Sequence, residues 1–177
     1  MRRTFLSMTL VLAGAAALIG VGSAGGGAVS KGKPALSATP VFKLHLKPSQ
    51  EVPPIQGLRA SAVGSVTFDL ERSASGAITS GEVIFYFNYA FPGSVSINGL
   101  HVHQGAKGAN GPIVISSGIA PFTDADGQGN VTTVVTGTSP ATLQAILSDA
   151  RGYYVNLHTS VNPGGALRDQ MHNPTKR

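Results

Sequence analysis

The chain has 177 residues, no cysteine and a formal net charge of +5 at pH 7. The absence of thiols excludes disulfide staples, thiolate metal ligands and cysteine nucleophiles. The basic excess is small, Lys31, Lys33, Lys176 and Arg177 lie near the two ends, and no basic stripe is interleaved with aromatics, so nucleic acid is not an expected partner.

Residues 1–24 read as a cleaved export signal. Arg2 and Arg3 make a basic start, Leu10 to Ile19 is a short apolar run, and Gly22-Ser23-Ala24 offers small residues for cleavage. The apolar run is too short for a stable membrane span, and no cysteine follows it to carry a lipid. The opening "RRTFLS" also fits a twin-arginine signal, so the general secretory and twin-arginine routes both stay open. A secreted or periplasmic location is expected. Without Arg2 and Arg3 the charge falls to +3, and the remaining 153 residues make one domain by length. A domain of that size buries about 70% of its unfolded surface and folds without covalent staples.

Residues 25–40, rich in Gly, Ala, Ser and Pro without a period, read as a flexible linker. From Val41 the pattern has period two. "VFKLHLK" sets Phe42, Leu44 and Leu46 against Lys43, His45 and Lys47, and the prolines of "EVPPIQG" enforce a loop. "GSVTFDL" and "EVIFYFNYA" follow as strands, the second apolar on both faces and so expected at a central position. In "SVSINGLHVH" the phase breaks at Asn98-Gly99, a pair suited to a bulge or tight turn.

"PIVISSG" and "NVTTVVTG" are further strands. Between them "TDADGQG" reads as a hairpin turn rather than a calcium loop, because the bidentate glutamate of an EF-hand is missing. A helix is expected after Ser139 as cap and Pro140 as first residue, with Leu143, Ile146 and Leu147 as its apolar stripe and an end near Arg151-Gly152. "YYVNLHT" and "GALRDQMH" close the series around the turn "NPGG". The fold class is therefore all-β: an antiparallel β-sandwich or barrel of about seven to eight strands with one short crossover helix.

Five histidines occur, at 45, 101, 103, 158 and 172. Strand parity turns His101 and His103 away from Leu100 and Val102, and turns His158 away from Tyr153, Val155 and Leu157. If these strands are neighbours, His101, His103 and His158 converge as a candidate metal site of three imidazoles with an open position, suited to copper or zinc. The other reading is that His101 and His103 donate to the carbonyls of the Gly-rich loop "QGAKGANGP". His45 and His172 read as ordinary exposed or satisfied residues. Glu51 and Glu82 have no partner carboxylate, and no G-x-S-x-G elbow is present, so neither paired acid–base nor serine hydrolase chemistry has support. Arg168 is expected to pair with a carboxylate in a structural ion pair or to cap the Pro-Gly turn, the ion pair being the default.

Three blocks, "LHLKPSQEVPP" (Leu44 to Pro54), "LHVHQGAKGANGPIV" (Leu100 to Val114) and "GYYVNLHTSVNPGGALRDQM" (Gly152 to Met171), together resemble a CHRD domain, the module named after chordin, in its secreted bacterial form. The resemblance spans residues 41–172, leaving 173–177 as a tail. It implies an extracellular β-rich binding module, non-catalytic, with a metal ion or an extracellular protein as partner. It supplies no reaction. The last block of the family reads closer to G-G-E-I-R-G-Q; here Ala166 stands for the glutamate and Asp169 for the last glycine, so Arg168 needs another acceptor. A rival resemblance, of "GLHVHQ" to the copper-ligand strand of copper/zinc superoxide dismutases, implies a histidine-metal redox enzyme. That family needs further histidines shortly downstream and a disulfide, and this chain has neither.

Overall fold

The computed structural model describes residues 39–176. The expected export signal and nearly all of the expected linker lie outside the described residues. Two antiparallel sheets of five strands each pack face to face. The first runs β10 (Thr175–Lys176), β1 (Pro40–Leu46), β2 (Ser61–Arg72), β3 (Ile78–Ala90) and β7 (Gln128–Val135). The second runs β5 (Ile113–Ser116), β4 (Val95–Gln104), β8 (Tyr153–Thr159) and β9 (Leu167–Gln170), with β6 (Phe122–Asp124) on the start of β4. A two-residue bridge between Lys47 and Arg168 stitches the sheets together at one corner.

The sandwich follows from the alternation. Phe42, Leu44, Leu46, Val66, Phe68, Phe85 and Phe87 point inward from the first sheet, and Ile97, Leu100, Val102, Val155, Leu157 and Leu167 meet them from the second. Each such side chain contributes about 1.5–3 kcal/mol by leaving water. Phe42 and Phe68, near neighbours on paired strands, meet edge to face at 5.2 Å. β3 is internal, between β2 and β7, with its outward Ile84 half-buried and Tyr86 exposed.

α1 (Pro140–Ser148) starts as expected: Ser139 accepts from the Thr142 N–H, and Pro140 occupies the first turn. Leu143 and Ile146 are its buried face. It stops at Ser148, three residues before the expected end, and a 3₁₀ turn over Ala150–Gly152 leads into β8.

Among the described residues there are ten strands, slightly more than the expected seven or eight, because β6 and β10 are only three and two residues long, too short to show alternation. β10 lies within the expected tail. The turn between β6 and β7 is not a hairpin: β6 pairs with β4 and β7 with β3, so the chain crosses between sheets there. Its aspartates serve the turn. Asp124 Oδ1 accepts from the Asp126 and Gly127 N–H groups, Asp124 Oδ2 accepts from Tyr89 Oη at 2.7 Å, and Asp126 Oδ1 accepts from Gln128 N–H.

Candidate metal centre

β4 and β8 are adjacent, and their register builds the site. His101 stands opposite Asn156, His103 opposite Tyr154, and Gly99 opposite His158. The expected phase break is a bulge between Ile97 and Gly99 that restores the inward phase for Leu100 and Val102. On the far side of β8, Asn156 pairs with Arg168 and Tyr154 with Gln170. The outer face of this sheet is therefore a polar grid across three strands.

That grid is not open to solvent. Every residue of β8 is buried, whichever way it points. The turns around Glu51, around 105–112 and around 160–166 fold over it. His103 and His158 are buried and His101 is half-buried. His45 and His172 are exposed.

The three imidazoles converge, with one nitrogen from each lying within 4.8 Å of the others. His103 Nδ1 sits 2.9 Å from the Gly111 carbonyl, and His158 Nδ1 sits 3.0 Å from the Pro163 carbonyl. A carbonyl only accepts, so both Nδ1 atoms carry the proton. Both Nε2 atoms are then bare lone pairs in the neutral rings, and they face each other at 3.3 Å. Only a proton or a metal ion between them makes that contact attractive. Burial holds both imidazoles below the ordinary histidine range, and for His103 the nearby His158 and Arg168 add to it. A shared proton is thus disfavoured near neutrality.

His101 completes the set. Its ring lies over Gly99, where a Cβ would meet Cε1 at 2.7 Å, so only glycine leaves this place free. Its Nδ1 is buried with no hydrogen-bond partner. Burial first, then His158 and His103, depress its pKa to about 4. The ring is neutral at pH 7 and its nitrogen is a free donor. Two nitrogens on one ion at about 2.1 Å lie at most about 4.2 Å apart. The 4.8 Å within which the three nitrogens lie is slightly wider than that. Three neutral imidazoles with no carboxylate among them suit copper or zinc better than a hard cation.

For His103 the two readings of the His-x-His pair are compatible, whereas His101 makes no hydrogen bond to the loop. Nδ1 of His103 holds the Gly-rich loop, while its Nε2 faces the other imidazoles. Carbonyl partners behind histidine ligands are a general feature of metal sites, because they fix tautomer and orientation.

A family model for the CHRD domain matches residues 42–171. The chain belongs to the CHRD family. Neither the curated proteins nor the solved structures provide a significant match.

In this CHRD domain the expected ion pair of Arg168 does not form among the described residues. The guanidinium instead donates to Asn110 Oδ1 at 3.0 Å and to the Ala109 carbonyl at 2.9 Å. Its Cζ lies 3.5 Å above the Tyr154 ring, and the same ring stacks with His103 at 4.8 Å and 11°. Tyr154 is flanked by β4 on one side and β9 on the other, so imidazole, phenol and guanidinium form one stack across three strands. Gln170 Nε2 donates to the Gly105, Arg151 and Tyr153 carbonyls. The loop after β4 is thus tied down from β9 and carries Gly111 to His103. Asp169, in place of glycine, accepts from the His45 N–H at 2.7 Å.

Sequence reading missed Glu51 and Asn156. Glu51 is buried, and its Oε2 lies 3.3 Å from Asn156 Nδ2. Burial pushes its pKa up to about 7, against the lowering influence of Asn156 and Arg168. The only signal in the sequence was a carboxylate leading a proline turn, which points outward far more often than inward.

Proposed function

We propose that this CHRD domain is an exported, non-catalytic binding module that holds one copper or zinc ion through His101, His103 and His158. The facing lone pairs of His103 and His158 carry this reading. Their tautomers are locked by the Gly111 and Pro163 carbonyls, so the two rings repel unless a cation lies between them. Export rests on the basic and apolar pattern of residues 2–24.

A redox enzyme is the competing use of the same ligands, favoured by the position that three nitrogens leave open. The burial of His103 and His158 favours the non-catalytic reading. Metal analysis of the full chain expressed with copper or zinc tests the proposal. One ion per chain is expected in the wild type, with loss of the ion in His103→Ala and in His158→Ala. Metal-free wild-type protein under both conditions would overturn it. Catalytic superoxide turnover by the copper-loaded protein would replace the module reading with the enzyme reading.

A further inference from the structure

Five buried side-chain polar atoms among the described residues have no hydrogen-bond partner, and three belong to connected residues. They are His101 Nδ1, Asn156 Oδ1 and Glu51 Oε1. His101 and Asn156 face each other across β4 and β8, and Asn156 donates to Glu51. Gly165, at φ 135°, lies against the pair: a Cβ there would meet Asn156 Nδ2 at 2.4 Å and Glu51 Oε2 at 2.8 Å. The loop after β8 therefore seals this corner without supplying a donor. Buried acceptors left unpaired cost free energy, and native proteins meet them with water or an ion.

Resting on the metal reading above, we propose that Asn156 and Glu51 select what occupies the open position beside the three histidines. The orphan atoms of Asn156 and Glu51 are both oxygens that accept. An occupant carrying hydrogen, such as water, is matched by Asn156 Oδ1, with Glu51 holding the amide in place. An anion that can only accept, such as azide, meets an amide oxygen and a carboxylate instead. Arg168, the nearby buried cation, offsets part of the Glu51 charge. Its N–H groups donate to Asn110 and Ala109 and its face lies on Tyr154, so it offers an anion charge without a directed hydrogen bond. Asn156 and Glu51 are positioning residues in this scheme, not ligands.

The test loads the full-length protein with Cu(II) at pH 8 and titrates azide by visible absorption and electron paramagnetic resonance. Wild type binds azide weakly, Glu51→Gln binds it about tenfold more tightly or better, and Asn156→Asp binds it less than wild type does, as expected for one charge removed or added at short range in a medium of intermediate dielectric. Electron–nuclear double resonance on the wild type finds strongly coupled exchangeable protons belonging to the occupant, beyond the weakly coupled Nδ1 protons of the ligand imidazoles. Equal azide affinity in all three proteins, or no strongly coupled exchangeable proton at the copper, overturns the selection and leaves the metal reading standing. Wild-type protein that takes up no copper overturns both. Circular dichroism of each variant confirms that the fold is retained, and Glu51→Gln is isosteric so that at least this arm reads out.

Discussion

Replacing Glu51 by glutamine gives the most quantitative handle on the covered polar face. The carboxyl is buried, one oxygen has no partner, and its pKa is raised from 4.5 to about 7. The unfolded chain therefore loses this proton before the folded one does. Between pH 4.5 and 7 the folded state binds more protons, so stability falls as pH rises through that window and stays low above it. The shift is about 2.5 pH units, an upper bound of about 3 kcal/mol at 1.4 kcal/mol per unit. Discounted for residual hydration, about 2 kcal/mol remains. Glutamine has the same shape, offers an oxygen to Asn156 Nδ2 and never ionises. The stability difference between Glu51→Gln and wild type, from urea unfolding of metal-free protein, should grow by about 2 kcal/mol from pH 5 to pH 8. In a thermal melt this corresponds to about 6–10 °C for a domain of this size. A constant offset between variant and wild type across that range would show that Glu51 is hydrated and that the cover over the outer sheet is not as described.

The other expectations concern the same face. In metal-free Glu51→Gln protein, acid should destabilise the fold by about 1–2 kcal/mol between pH 7 and pH 5, because the three imidazoles are held below their ordinary 6.5 and the unfolded chain takes up protons first. Urea midpoints at the two pH values measure this, and the loss should shrink in a further His101→Gln background. Gly99→Ala should displace the His101 ring and weaken metal binding at least tenfold while the two-sheet fold survives, as read by competition with a chromophoric chelator and by circular dichroism. Arg168→Lys should cost about 2–4 kcal/mol, because lysine cannot stack flat on Tyr154 or span Asn110 and Ala109 together. Hydrogen exchange should then accelerate in residues 105–111 more than in β2.

The sandwich was legible wherever one physical rule acts alone. Strand alternation placed Phe42, Phe68 and Phe85 inside, the Asn98-Gly99 phase break marked the bulge, and Ser139-Pro140 marked the helix start. The convergence of three imidazoles followed from parity and one assumption, that β4 and β8 are neighbours. What stayed hidden depends on contacts between distant segments. Parity says which way Asn156 and Arg168 point but not that loops will bury them. A carboxylate in a proline turn carries no mark of the strand it will meet more than a hundred residues later. The resemblance to the CHRD pattern implied that Arg168 needs another acceptor, whereas the acceptors it finds, Asn110, a loop carbonyl and a tyrosine face, exist only in the folded chain. The division of labour within His103 and His158, Nδ1 to a carbonyl and Nε2 to the shared centre, is likewise set by loops that periodicity does not describe.

The most direct test of the proposed metal centre is anomalous diffraction from crystals of the full chain grown with copper or zinc, collected on both sides of the absorption edge. The expected result is one strong peak within about 2.1 Å of a nitrogen from each of His101, His103 and His158, with Nδ1 of His103 and His158 still on the Gly111 and Pro163 carbonyls. No peak among these rings, or a peak bound by His45 or His172 instead, would contradict it.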